Sequence, residues 1–259
     1  MTSSVHMPKR ETLRQKVRAA LAPIAEPARA PHMQAYMKSE MPFLGVTAPK
    51  LRGALRELFE TYPFASAETW RADVLSLWRA AEFREERYAA IQLTGHRKAK
   101  PFQTLAALPM YEEMIVDGAW WDYVDEIAVN RIGPLLAAYP REMTRAMRAW
   151  SRAPSIWKRR TSIICQLGFK GALDLELLYA CIAPSIASKE FFLRKAIGWA
   201  LRQHAKLDPA EVGRYVTAHE AQLSGLSKRE ALKHVPGGTS AASGARRSGT
   251  ARGRAAPRP

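Results

Sequence analysis

From Glu11 to Val235 the apolar residues return every three or four positions, with Lys, Arg and Glu on the opposite side of each turn. That is the period of an amphipathic helix, whereas a half-buried strand would alternate with a period of two. The pattern predicts helices over 13–21, over 28–39 and through Leu51, Leu55 and Leu58. Further helices are predicted over 66–80, 83–97, 101–117, 119–138, 140–151, 155–168, 173–186, 188–205, 209–219 and 227–235. Thr47 is placed to cap the third helix, with Pro49 in its first turn. Gly133-Pro134 should kink or divide the helix over 119–138, because proline removes an internal N–H and its ring meets the preceding turn. No Asn-Gly or Asp-Gly hairpin separates alternating runs. The expected class is all-α.

About a dozen helices, paired at a spacing of about 35–40 residues, fit HEAT-type repeats. The repeats share no consensus, so helix number and connector length carry the expectation of a curved α-solenoid, with a compact bundle as the alternative. A curved stack of helix pairs offers an extended concave surface suited to a long ligand such as a duplex.

The 259 residues are 47% hydrophobic and 25% charged, a globular balance with enough chain for a sizeable core. No apolar run approaches the roughly 20 residues that span a bilayer, and the first 20 residues lack the apolar stretch of a secretory signal. Cys165 and Cys181 form no CxxC pair and are expected as reduced core residues, so a cytoplasmic protein is expected. The charge is +16, with a pI near 10.2. A surplus of this size points to a polyanion. Residues 236–259, PGGTSAASGARRSGTARGRAAPRP, hold five arginines and no acid, so the rest of the chain keeps +11. That stretch cannot bury enough apolar surface to fold and is expected as a disordered basic tail. Residues 1–10 are expected as a disordered leader, leaving 11–235 as the folded domain.

Phosphate loops, GxGxxG, HExxH and GxSxG are absent, and the six histidines share no ligand spacing. No metal or cofactor is expected. The stretch 117–132, DGAWWDYVDEIAVNRI, is different. On a helix Trp121 and Asp125 are one turn apart and share a face. A carboxylate beside an indole, in a chain where acids are the minority, suggests a site that handles positive charge. The plain alternative is two core tryptophans with acids that face solvent or pair with Arg131. Two other stretches interleave indoles with cations. Trp157 and Arg160 lie three apart, and Lys195, Trp199 and Arg202 form a basic–aromatic–basic stripe. Such stripes suit a nucleic-acid backbone, with cations meeting phosphates and flat rings packing on sugars or bases.

AWWDYVDEIA (119–128), IWKRRTSIICQL (156–167) and SKEFFLRKAIGWALRQHAK (188–206), with PFLGV (42–46) and LSKREALKHV (226–235), resemble the AlkD-type DNA alkylation repair glycosylases. The resemblance covers most of 12–235, in the same order and with similar spacing. It implies a C-shaped fold of HEAT-like repeats whose basic concave groove holds double-stranded DNA. It implies a monofunctional glycosylase that releases cationic N3- and N7-alkylated purines without flipping the base. It carries the catalytic carboxylate onto Asp125 and the lesion-facing tryptophans onto Trp121 and Trp199. A DNA-contacting arginine falls on Arg160 and an early aromatic on Tyr36. Trp157, Lys195 and Arg202 join them as candidate DNA contacts. The expected partner is duplex DNA with alkylated purines, bound by a monomer without an obligate protein partner or a membrane.

Two other readings stay open from the residues: a non-catalytic helical-repeat module for distorted duplex, and a scaffold that holds an acidic protein. The tail generates the first test. Deleting 236–259 is expected to flatten the salt dependence of duplex binding, because without its five arginines fewer counterions are released from the DNA. Affinity measured against salt concentration checks this, and an unmoved slope would mean the tail does not touch DNA.

Overall fold

The recurring spacing of apolar residues is realised, in a computed structural model that describes residues 11–237, as fourteen α-helices joined by short 3-10 turns, with no strand among the described residues. The expected all-α class holds. The leader over 1–10 and the tail beyond 237 lie outside the described residues. The chain divides into two compact units between Pro140 and Arg141.

The first unit holds α1 (Leu13–Leu21), α2 (Ala30–Met37), α3 (Ala48–Glu60), α4 (Ala67–Arg79), α5 (Arg84–Thr94), α6 (Leu108–Gly118), α7 (Trp121–Ile127) and α8 (Gly133–Ala138). Helices close in sequence pack on one another, α1 on α3, α4 on α5 and α6 on α7, the local pattern of a helical-repeat solenoid. Their apolar faces close over Leu55, Trp70, Trp78, Tyr111, Met114 and Tyr123. Burial of each such aromatic contributes about 1.5–3 kcal/mol. The second unit holds α9 (Pro140–Trp150) from its second residue on, α10 (Ile156–Ile164), α11 (Leu175–Ile182), α12 (Phe191–His204), α13 (Pro209–Ala218) and α14 (Gly225–Ala231). Its core gathers Met143, Met147, Cys165, Leu178, Cys181, Leu193 and Ile197.

Two expected helices need correction. The single helix over 101–117 is instead 3-10 turns at Arg97–Phe102 and Leu105–Ala107, with α6 starting only at Leu108. Pro109 explains the late start, since proline suits a first turn and disrupts an interior. The helix over 119–138 is α7, a π-helical turn at Ala128–Ile132, and α8. Pro134 has no N–H to offer the carbonyl of Asn130 one turn earlier. The widened turn accommodates the proline ring, and Arg131 Nη1 donates to the released Asn130 oxygen at 2.8 Å.

The start of α7 is set by the DGAW sequence. Gly118 ends α6 where an added Cβ would lie 3.0 Å from the Trp78 ring, and Ala119 turns the chain through a left-handed conformation with φ of 41°. Trp120 then caps α7 in an extended conformation, and Trp121 is its first residue.

Three consecutive charged residues at the start of α5, Arg84, Glu85 and Glu86, are buried, and each grips a different segment. The Arg84 guanidinium donates to both oxygens of Asp122 at 2.7 and 2.8 Å, and lies 4.2 Å from the Tyr123 ring centre. The Tyr88 hydroxyl adds a 2.5 Å bond to the same carboxylate. Glu85 accepts from the amides of Leu44 and Val46, both at 3.0 Å, and burial still holds its carboxyl above the ordinary range. Glu86 accepts from Arg18 of α1 and from the amides of Glu82 and Phe83. Burying a charge is tolerable only with such partners, and removing one partner costs about 3–5 kcal/mol. Arg84→Met is therefore expected to lower the unfolding free energy by about 3–5 kcal/mol in urea denaturation, since the largely buried Asp122 carboxylate keeps only the Tyr88 hydroxyl and loses its counter-charge. An unchanged midpoint would remove the pair from this role.

Candidate functional site

In the first unit, α7 carries three acids and the structure gives each a different surrounding. Asp122 is committed to Arg84 and Tyr88. Glu126 is exposed, accepts from Asn130 at 2.7 Å and faces Arg131 at 3.5 Å. Asp125 is half-buried, as is Trp121 one turn before it. The helix places that indole and that carboxylate on one side, as their spacing requires. Tyr36, near the end of α2, is 77% exposed, which is unusual for so large a ring. Its helix ends in a left-handed Lys38, followed by the loop whose Leu44 and Val46 amides Glu85 holds.

In the second unit, Ser155 caps α10, accepting from the Lys158 amide. Trp157 and Arg160 follow, both buried, at 8% and 4% exposure. Trp157 packs on Phe192 with ring centres 4.9 Å apart, and Arg160 Nη1 donates to the Phe192 carbonyl at 2.6 Å. Both residues thus fix α10 against the first turn of α12.

Lys195, Trp199 and Arg202 lie on α12 at the expected spacing and all are half-buried. The two cations share one acid that the spacing did not announce. Glu230 of α14 faces Lys195 at 3.4 Å and Lys233 at 3.0 Å, and Arg202 Nη1 donates to its other oxygen. The Glu230 side chain is 11% exposed, so burial pushes its pKa up. The bond from Lys233 and the charges of Lys195 and Arg202 outweigh that, and the carboxyl stays below its ordinary range. Three cations on one carboxylate leave a local positive surplus flanking Trp199. α14 comes this close because residue 198 is glycine. A Cβ there would stand 2.6 Å from the Glu230 Cβ and 3.1 Å from the Ser227 carbonyl oxygen.

The structure therefore brings Trp121 and Asp125 together in the first unit. It brings Trp157 and Arg160, and separately Lys195 and Arg202, together in the second. The residues missed by sequence reasoning are Arg84 and Glu230. Arg84 lies 38 positions from Asp122, and only its place in a buried Arg-Glu-Glu run could have marked it. Glu230 sits in LSKREALKHV, where a lone acid among cations was a weak signal. Among the described residues, no group of three or more His, Cys, Asp or Glu could hold a metal ion, and no helix is long and apolar enough to cross a membrane.

The sequence model of the family described as DNA alkylation repair enzyme matches residues 17–235. A solved structure titled "Predicted DNA alkylation repair enzyme from Enterococcus faecalis" superposes with a TM-score of 0.74 at 28% identity. The match covers 82% of this chain and 96% of that one. No curated protein matches the chain.

The approach of α14 to α12 can be tested at Gly198. Alanine there would gain about 1 kcal/mol of helix propensity, but overpacking against backbone costs about 1–3 kcal/mol. Gly198→Ala is expected to lower the thermal midpoint. A raised midpoint would mean that the two helices separate without penalty.

Proposed function

The chain belongs to the DNA alkylation repair enzyme family, and on that premise we propose that it hydrolyses the N-glycosidic bond of cationic N3- and N7-alkylated purines in duplex DNA. An alkylated purine of this kind already carries a positive charge and leaves without a general acid. The barrier lies in the deoxyribose, which gains oxocarbenium character as the bond lengthens. A fixed carboxylate stabilises that cation and orients the attacking water.

Asp125 is assigned this role. The observation that carries the assignment is the side of α7 on which Asp125 stands one helical turn from the half-buried Trp121 indole. Asp122 is spent on Arg84 and Tyr88, and Glu126 turns to Asn130 and Arg131. Asp125 shares its half-buried face with Trp121. Trp121 and Trp199 are assigned as aromatic surfaces for the cationic nucleoside, each such contact contributing about 0.5–2 kcal/mol. They also exclude water, which strengthens the attraction between Asp125 and the sugar cation. Lys195, Arg202 and Tyr36 are assigned to the DNA strand. Arg160 and Trp157, expected there from the sequence, lie buried against Phe192 and are assigned to hold α10 on α12 beneath it. The half-exposed stripe of Lys195, Trp199 and Arg202, held in place by Glu230, supports a phosphate-facing role for its two cations. Excision without flipping the base belongs to the same reading, as the family resemblance implies.

The test is release of base from a duplex that contains 7-methylguanine. The expected result is release well above the spontaneous rate. Asp125→Asn is expected to slow it about 100- to 1,000-fold while duplex affinity persists. Binding of the lesion duplex without release by the unmodified protein would instead favour a non-catalytic module for damaged DNA.

A further inference from the structure

A cavity of about 230 Å³ opens in the first unit where the end of α5 meets the π-helical turn. Thr94, Arg97, Lys100, Gln103, Asn130 and Arg131 line it, and no acid does. The Arg131 guanidinium is its fixed wall. Nε donates to the Thr94 hydroxyl at 2.8 Å, Nη1 to the Asn130 carbonyl at 2.8 Å and Nη2 to the Ile91 carbonyl at 3.3 Å. Those three bonds go to neutral oxygens, and Nη2 also forms an ion pair with the exposed Glu126 at 3.5 Å. Nη1 keeps a second N–H beyond its bond to Asn130.

Residue 95 is glycine at this place, and a Cβ there would lie 2.1 Å from Arg131 Nη2, so any side chain would displace the guanidinium. The other cations differ in how much charge they can give. Arg97 is neutralised by Glu60, which it holds at 2.8 and 3.2 Å. Lys100 is exposed and takes part in no ion pair among the described residues. A guanidinium held mainly by neutral oxygens and an uncommitted ammonium line one cavity that has no lining carboxylate, and that charge balance suits an anion. A tetrahedral oxyanion can accept from a guanidinium and an ammonium at once.

We propose that this cavity is a phosphate-binding site, in which Arg131 and Lys100 hold a phosphate mono- or diester. The anion has two sources, a backbone phosphodiester of duplex DNA or a free phosphoryl ligand. The proposal does not rest on Asp125 or on any excision activity.

The test uses the full chain, titrated calorimetrically with inorganic phosphate and, separately, with an undamaged duplex over a range of salt. Lys100→Gln is the variant, since Lys100 is exposed and its ammonium supports no contact of the fold. Lys16→Gln, at an exposed lysine of α1, is the charge-matched control. The expected result is saturable phosphate binding, weakened about tenfold by Lys100→Gln and unchanged by Lys16→Gln. A backbone source adds a fall of about one in the salt slope of duplex binding for Lys100→Gln. A free phosphoryl ligand leaves that slope where it was. No saturable phosphate binding, or equal weakening by the two variants, would overturn the proposal.

Discussion

A helix that begins with Arg84, Glu85 and Glu86 cannot bury those charges without partners, and the partners it takes determine much of the first unit. Arg84 draws Asp122 and with it the start of α7. Glu85 draws the amides of Leu44 and Val46, and so the loop that follows α2. Glu86 draws Arg18 of α1. A carboxylate at a helix start also meets the free amides and positive end of that helix, which favours Glu85 and Glu86 there. The orientation of α7, which presents Trp121 and Asp125 on one side, depends on this anchor. Once Asp122 is locked to Arg84, the helical period dictates where Asp125 stands.

The second unit solves a related problem with opposite signs. Its chemistry-bearing helix α12 carries cations, and a single buried carboxylate on α14 collects two of them. Gly198 permits the approach and Glu230 uses it. A lone acid amid several cations orders long side chains that would otherwise lose rotamer freedom on binding, at a cost of about 0.5–1.5 kcal/mol each. The positive surplus that remains is what a polyanion would meet. An overall charge of +16 describes that surplus only in aggregate.

Much of this was readable from the chain. The period of apolar residues located α1 at its observed bounds and placed α3, α4, α9 and α13 to within a few residues, because each is amphipathic and stopped by a turn residue. The pairing of Trp121 with Asp125 follows from helical spacing alone, and so does the stripe of Lys195, Trp199 and Arg202. What failed to show is whatever depends on distant partners. Nothing local to Asp122 says that it will be claimed by an arginine 38 residues earlier. Nothing local to Lys195 says that its charge is shared with Glu230, 35 residues later. The division of 101–117 was recoverable, since Pro101 and Pro109 stood in the string. The π-helical turn before Pro134 was half recoverable: the proline announced a break, and only the structure reveals that Arg131 takes the released carbonyl.

The central claim is electrostatic: a carboxylate without a partner acid accelerates loss only of a base that already carries its positive charge. Single-turnover excision rates for 7-methylguanine and for hypoxanthine, a neutral base, in the same duplex sequence test it most directly when each is divided by its spontaneous rate. The account predicts a large acceleration for the cationic base and none measurable for the neutral one. Comparable acceleration of both would require a proton donor to the departing base and would contradict it.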